Sequence, residues 1–158
     1  MAINPYAKFV GGREPLAVMA GTAAELRALV SGLSKEQLER PIAEGKWSVR
    51  QIVCHLADCE IVFCVRLRHA LADDHHVIQP FDQDVWASRY AGYSAAEALD
   101  LFAAARAWNL RLLKGVAAEE MQRPVTHPER GTMVFADLVQ TIAGHDENHL
   151  IQLRGAVK

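Results

Sequence analysis

Apolar residues recur every three or four positions in four separate segments, and this spacing constrains the fold more than any other feature of the chain. The first stripe begins after Pro15 and ends near Gly32, a residue type common at helix ends. It comprises Leu16, Met19, Ala23, Leu26, Val30 and Leu33. This first stripe predicts an amphipathic helix that buries one face. After it, Ser34 and Gln37 cap a short helix, which Pro41 ends.

A second capping box, formed by Ser48 and Gln51, opens a helix that is predicted to extend to about Ala72. Its core-facing stripe comprises Ile52, His55, Leu56, Cys59, Val62, Phe63, Arg66, Leu67 and Ala70. The helical period lapses from Asp73 to Tyr93, where Pro80 and Gly92 would interrupt a helix. We expect this long connection to cross from one end of the fold to the other.

Two further helices follow the crossover. Ser94 and Glu97 cap the third, whose apolar face comprises Ala98, Leu101, Phe102, Ala105, Trp108, Leu112 and Val116. The fourth is predicted to begin at Thr132, and its stripe comprises Phe135, Leu138, Ile142, His145, His149 and Leu153. The alternation typical of strands is not seen in the sequence. The prediction is therefore an all-α four-helix bundle, in one domain over residues 1–158.

Charge and hydropathy exclude several classes of protein. Seventeen basic and nineteen acidic side chains give a net charge of -2, which does not favour binding to nucleic acid or to an anionic membrane. The longest apolar run, Ile61–Val65, is far shorter than the roughly 20 residues that span a bilayer. Without a secretion-signal pattern, the expected location is the cytoplasm. Cys54, Cys59 and Cys64 are spaced too far apart on one helix for a disulfide.

Histidines occupy core-facing positions that aliphatic residues normally fill. His145 and His149 lie four residues apart, so both imidazoles can reach one metal ion from the same face of a helix. An isolated pair of this kind more often consists of buried histidines that are hydrogen-bonded to carbonyl groups or water. His55, in the stripe of the second helix, adds a third imidazole. Three such ligands would leave one metal position open, as in catalytic zinc sites.

The depth of the histidines in the bundle predicts the direction of the helices. At about 1.5 Å of rise per residue, His55 lies about 10 Å from the start of its helix, while His145 and His149 lie about 12 and 6 Å before Leu153. The three meet only if helices two and four run antiparallel. With the long crossover between helices two and three, this requirement predicts an up-down-down-up bundle.

Other candidate ligands are less well placed. Cys59, one turn after His55, could add a thiolate, although a buried core thiol is the preferred interpretation. Asp146 and Glu147 are interpreted as outer-sphere or surface carboxylates. The remaining histidines are predicted to lie near the opposite end of the bundle, outside the site: His69, His75, His76 and His127.

Two segments, GKWSVRQIVCHLADCE and GTMVFADLVQTIAGHDENHLIQL, resemble the DinB/YfiT-like superfamily of metal-dependent enzymes, which includes bacterial low-molecular-weight thiol transferases. The resemblance covers nearly the whole chain. It implies that His55, His145 and His149 bind a divalent metal ion such as zinc or nickel. It also implies the crossover bundle and, in many members, a homodimer.

The reaction is less constrained than the metal site. A thiol S-transferase acting on a small molecule with a low-molecular-weight thiol is the first hypothesis, because a metal can activate a thiol. A metal-dependent hydrolase is the second, and a noncatalytic stress-response or ligand-binding protein is the third. A peptidase is disfavoured because HDENH has Asp146 where HExxH has glutamate. Ferritin-like di-iron chemistry is set aside because Glu-x-x-His pairs are missing around the core histidines.

Aromatic residues are predicted to surround the metal at its end of the bundle. The candidate substrate-binding residues are Trp47, Trp86, Tyr90 and Tyr93, with Lys46 nearby. The alternative is that Trp47 closes the end of the bundle while the others pack the long connection.

Overall fold

Four long helices form the frame of the computed structural model, which describes residues 4–157. These helices are α2 (Pro15–Val30), α4 (Val49–Ala72), α6 (Ala95–Leu113) and α7 (Phe135–Ala156). Shorter helices are α1 (Ala7–Val10), α3 (Lys35–Glu39) and α5 (Gln83–Ala87), with 3-10 turns at Tyr90–Gly92 and Glu120–Gln122. Three strands complete the fold: β1 (His76–Val77), β2 (Pro124–His127) and β3 (Gly131–Val134).

Contacts between the long helices fix their directions. Along α4, His55 packs against His149, with ring centroids 5.0 Å apart, and Phe63 packs against the earlier residue His145, at 6.0 Å. Helices α4 and α7 are therefore antiparallel. Arg68 of α4 donates a hydrogen bond to Asn109 of α6 at 2.9 Å.

Helices α4 and α6 run in the same direction. The earlier residue of α4, Glu60, pairs with the earlier residue of α6, Arg106, while Arg68, about two turns later in α4, bonds to the later Asn109. Helices α2 and α7 are also parallel: Thr22 bonds to Asp146, and Glu25 bonds to the later Arg154. The up-down-down-up order that the sequence predicted is confirmed.

Helix starts follow the predicted capping residues. The Ser48 N–H donates to the Gln51 side chain at 2.9 Å, and the Gln51 N–H donates to the Ser48 hydroxyl at 3.3 Å. The same reciprocal pair is present at Ser34 and Gln37. The third long helix ends earlier than predicted, at Leu113 rather than near Val116.

The structure adds to the helical bundle three short strands that the sequence pattern did not indicate. Strands β2 and β3 form an antiparallel hairpin, and β1 pairs with β2 in parallel. These strands have two to four residues each, which is too short for a period-two pattern to be visible. The last helix accordingly begins at Phe135 instead of Thr132, because residues 131–134 pair with residues 124–127. Asp137 accepts the Val134 N–H at this helix start.

No helix within residues 4–157 combines the length and the hydropathy that crossing a bilayer requires.

A buried charge network connects all four long helices. Arg106 of α6 is 1% exposed and donates from Nε and Nη2 to the two carboxylate oxygens of Glu60, at 3.0 and 2.6 Å. It also donates to Asp146 of α7 and to the Met19 carbonyl oxygen of α2. Thr22 donates to Asp146 at 2.9 Å. Because the Arg106 guanidinium bonds to two carboxylates in a bidentate manner, it fixes the position of α4 and α7 along and around their axes relative to α6.

Replacing Arg106 by Met should lower the free energy of unfolding by about 3–5 kcal/mol, because two carboxylates would remain buried without their partner. Urea denaturation followed by circular dichroism measures the change. Arg27→Met is the control, since Arg27 pairs with Asp100 on the surface and should cost about 0–1 kcal/mol. Equal losses in the two variants would contradict the role of the network.

Candidate metal centre

Helices α4 and α7 bring ligand-type atoms together inside the bundle. The Nε2 atoms of His55 and His145 lie 3.2 Å apart. The Cys59 sulfur lies 3.4 Å from His55 Nε2 and 3.9 Å from His145 Nε2. One ligand atom from each of the three residues lies within 4.8 Å of the other two. The structure brings His55 and His145 together as the sequence predicts, and it places the Cys59 thiol, for which a core role was the preferred interpretation, within reach of both.

His149 borders the same cluster. Its ring centroid lies 5.0 Å from that of His55 and 4.6 Å from that of His145. Its Nδ1 lies 2.9 Å from the side-chain oxygen of Gln152. Because an amide oxygen only accepts hydrogen bonds, Nδ1 carries the hydrogen and Nε2 keeps its lone pair. Gln152 thus holds His149 in the tautomer of an Nε2 metal ligand.

Burial keeps these imidazoles neutral. Burial, with the nearby His149, lowers the pKa of His55 to about 3. Burial lowers the pKa of His149 to about 4, against the opposing hydrogen bond to Gln152, and that of His145 well below its usual value. Burial also raises the pKa of the Cys59 thiol. The histidine lone pairs are therefore available at neutral pH, and a cation would have to displace the thiol proton.

The donor set fits a divalent metal ion. Zinc–nitrogen bonds of about 2.0–2.1 Å in a tetrahedron place two ligand nitrogens about 3.4 Å apart, close to the separation of the His55 and His145 nitrogens. His145 Nδ1 is buried and has no hydrogen-bond partner among the described residues. Imidazole and thiolate are ligands that zinc and nickel accept.

The N-terminal segment covers one side of the cluster. The Tyr6 ring packs edge-on against His145, with centroids 5.3 Å apart, and Asn4 donates to Gln140 of α7 at 3.1 Å. The Tyr6 backbone passes so close to Gly144 that a Cβ atom there would overlap the Tyr6 carbonyl oxygen. The glycine beside His145 therefore permits this cover.

Two cavities reach the histidines from different sides. The first cavity, of about 300 Å³, has His55, Cys59 and His145 in its wall, together with Arg66, Glu129 and Arg130. The second cavity, of about 800 Å³, lies at the end of the bundle and is lined by Lys46, Trp47, His149 and Gln152. Tyr6 and Gln83 line both cavities.

The aromatic residues predicted to bind substrate lie in different places. Trp47 lines the second cavity, and its ring centroid is 4.8 Å from that of His55. Trp86 is partly exposed and packs on Phe81, at 4.6 Å between centroids. Tyr90 is buried and donates to Asp58 at 2.8 Å, while Tyr93 is exposed in a separate groove. The structure thus brings Trp47, and not Tyr90 or Tyr93, to the histidines.

Other residues depart from the sequence interpretation. His127 was predicted to lie far from the site, but the β2–β3 hairpin folds back and places it in the wall of the first cavity. Asp146, next to His145 in the chain, accepts hydrogen bonds from Thr22 and Arg106 of the buried network. Glu147 is buried between Arg13 and Arg154, which hold its pKa below the usual range although burial acts in the opposite direction.

Among the polar residues of the first cavity, sequence reasoning missed Tyr6, Arg66, Glu129 and Arg130. Arg66 could have been found from the sequence, because an arginine in a core-facing stripe is unusual and indicates a specific partner or function. Tyr6, Glu129 and Arg130 gave no such signal, since each reaches the cavity through tertiary packing of a short segment rather than through a helical period.

Comparison with known proteins identifies the family. The model of the DinB superfamily matches residues 19–153, which include all three histidines and Cys59. The chain belongs to the DinB superfamily. The matched residues span α4, the long crossover that follows it, and α7 up to residue 153. Helices α4 and α7 carry the residues of the cluster.

Relatives in this superfamily carry a common description. One from Oceanobacillus iheyensis is 31% identical over 134 residues, covering 84% of this chain and 78% of the relative. One from Geobacillus kaustophilus is 31% identical over 145 residues, covering 89% and 81%. Both are named "Putative metal-dependent hydrolase".

Two solved structures share the fold. YfiT from Bacillus subtilis, described as a probable metal-dependent hydrolase with an unusual four-helix bundle topology, superposes with a TM-score of 0.85 at 22% identity, over 90% of this chain and 83% of YfiT. A mycothiol-dependent maleylpyruvate isomerase superposes with a TM-score of 0.71 at 12% identity, over 88% of this chain and 59% of the isomerase. These likenesses establish the crossover bundle.

Gly144→Ala should displace the Tyr6 segment from α7 and lower the free energy of unfolding by about 1–3 kcal/mol, because the added methyl group overlaps backbone. Hydrogen exchange at residues 6–10 and urea denaturation measure both effects. Gly155→Ala, in the same helix with open space around it, should be neutral or slightly stabilising. Unchanged exchange in Gly144→Ala would contradict the close packing.

The metal-free protein should lose stability as the pH falls from 6.5 towards 4. The unfolded state has histidine pKa values near 6.5, whereas the folded state has lower ones, so protons bind the unfolded chain first. Each such histidine contributes a slope of up to about 1.4 kcal/mol per pH unit in this window. His149→Gln should reduce the slope measured by urea denaturation. An equal slope in the wild type and in His149→Gln would contradict the burial argument.

Proposed function

We propose that this protein is a metal-dependent hydrolase of a small molecule, in which His55, His145 and His149 hold one divalent ion such as zinc or nickel. The observation that carries the proposal is that His55 and His145, on two antiparallel helices, bring neutral imidazole nitrogens to within 3.2 Å of each other in the wall of the first cavity, with the His149 ring beside them. The description of the relatives as hydrolases supports hydrolysis over the thiol transfer that the sequence analysis placed first.

The metal would supply a Lewis acid and a water of lowered pKa. The protein's own residues prepare the site for it. Gln152 fixes the tautomer of His149, and the Tyr6 ring packs edge-on against His145. Cys59 is placed to occupy a metal position, so its protonation governs whether that position is available to substrate.

Residues of the first cavity provide hydrogen-bonding groups. His127 Nδ1 accepts the Glu129 N–H at 3.2 Å, so the hydrogen of the neutral ring is on Nε2. Burial and the charge of Arg130 lower the pKa of His127, which keeps the ring neutral. A neutral N–H in the cavity wall suits donation to a substrate oxygen that gains negative charge.

The proton acceptor is best sought on the hairpin turn. Among the described residues that line the first cavity, Glu129 is the one carboxylate. Asp146, the residue that takes the place of the glutamate in HExxH, is occupied by Arg106 and Thr22. This geometry argues against a peptidase mechanism and makes Glu129 our candidate general base.

Thiol S-transfer is the second candidate, and the two cavities favour it. A reaction between a thiol and an electrophile needs two binding volumes that meet at the activating group. The first cavity reaches His55 and His145, and the larger second cavity reaches His149. The shared fold of a mycothiol-dependent isomerase is consistent with such a use. A homodimer remains a further proposal, independent of either reaction.

The test combines metal content with turnover. After reconstitution with zinc or nickel, the wild-type protein should hold one ion per chain and hydrolyse nitrophenyl esters. His55→Ala, His145→Ala and His149→Ala should each lower both metal content and kcat/KM by at least about tenfold, because each removes one of three ligands. The surface variant His75→Ala should retain both. Cys59→Ala reports whether the thiol contributes to the affinity for the metal ion.

Two further outcomes separate the alternatives. Turnover of an electrophile such as chlorodinitrobenzene that requires an added thiol, without ester hydrolysis, would favour the transferase. Stoichiometric metal without turnover in either assay would favour a noncatalytic binding protein. Equal and negligible metal in the wild type and in His149→Ala would contradict any metalloenzyme.

A further inference from the structure

We propose that the first cavity is specific for a small anionic molecule, whose carboxylate or phosphate group is bound by Arg66 and Arg130 while the rest of the molecule faces the histidine cluster. The inference names the substrate class of the proposed enzyme and rests on that function for its catalytic meaning. The binding site itself depends only on the described side chains of the cavity.

Arg66 lies in the cavity wall with its charge uncompensated. It is half-buried on α4, and one Nη donates to the Gln79 carbonyl oxygen at 2.8 Å. Its Nε is buried without a hydrogen-bond partner among the described residues. The guanidinium packs near the rings of Phe63 and Phe81, at 6.0 and 5.8 Å from their centroids. These contacts hold the group in place but leave hydrogen-bond donors unused.

Arg130 adds a second positive charge from the hairpin turn. It lines the same cavity, and its charge helps burial to lower the pKa values of Arg66 and His127. Within residues 4–157, neither Arg66 nor Arg130 forms an ion pair with a carboxylate. Two like charges at one cavity raise each other's free energy, and an anion between them would remove that repulsion.

Arg106, which is buried in the bundle, differs from Arg66 and Arg130 because its charge is neutralised by carboxylates. Arg106 is matched by two carboxylates and a backbone carbonyl oxygen. In the first cavity the one acid, Glu129, is exposed, and the histidines are neutral. The side chains of the wall therefore carry one net positive charge, from two arginines and one glutamate. A guanidinium binds a carboxylate or a phosphate through two parallel hydrogen bonds.

The size of the cavity limits the ligand. About 300 Å³ is at the small end of the range for ligand pockets. The second cavity is larger, and its charged lining residues are Lys46 and Asp84, which balance each other. Selection for an anion is therefore assigned to the first cavity alone.

The experiment measures binding directly by isothermal titration calorimetry, using the full chain in zinc-loaded and metal-stripped forms. The probes are glutarate, inorganic phosphate and the neutral diamide glutaramide. Glutarate or phosphate should bind at least tenfold more tightly than glutaramide. Arg66→Gln and Arg130→Gln should each weaken the better anion at least tenfold, whereas Lys46→Gln, in the second cavity, should change it less than twofold. Whichever anion binds better identifies a carboxylate or a phosphate as the preferred group.

Arg130→Gln is the decisive variant, because Arg66 also bonds the crossover and its replacement could disturb the fold. Thermal unfolding checks that both variants remain folded. Anion binding no tighter than that of glutaramide, an unchanged affinity in Arg130→Gln, or an equal loss in Lys46→Gln would overturn the inference. The metal-stripped arm tests anion binding independently of the metal. An arginine-dependent anion site in that arm, together with no turnover by the zinc-loaded protein, would sustain the inference and contradict only the hydrolase.

Discussion

Arg106 holds the carboxylates of Glu60 and Asp146 inside the bundle, and each of these acids directly follows a residue of the candidate metal centre. Glu60 follows Cys59, and Asp146 follows His145. Adjacent helical residues lie about 100° apart around the axis, so fixing the acids towards α6 turns their neighbours towards the space between α4 and α7. The charge network thereby helps to orient Cys59 and His145, although no hydrogen bond joins it to either side chain among the described residues.

The sequence predicts the frame of this structure because its signals are local. Capping pairs such as Ser48 with Gln51 and stripes of period 3.6 are properties of one helix, and the requirement that His55 meet His145 was enough to deduce antiparallel helices. The hairpin at residues 124–134 was not predicted because its strands are too short to show a period-two pattern. His127 and Arg130 were missed with it. Tyr6 was missed because its position depends on one glycine of a distant helix.

The site combines a buried, neutral interior with a charged cavity wall. Neutral imidazoles and a protonated thiol occupy the interior, where burial disfavours charge until a cation arrives. Arg66, Glu129 and Arg130 line the first cavity together with His55 and His145. Separate cavities on two sides of the cluster permit either water or a second substrate to share the centre. The same scaffold can thus support hydrolysis or group transfer.

The central claim is that α4 and α7 deliver imidazoles to a single ion. Zinc K-edge X-ray absorption of the protein loaded with one equivalent of zinc tests it most directly. The account predicts a four-coordinate ion with the outer-shell scattering of at least two imidazoles, and a short sulfur distance of about 2.3 Å only if Cys59 is bound. A spectrum with oxygen neighbours and no imidazole scattering would contradict it.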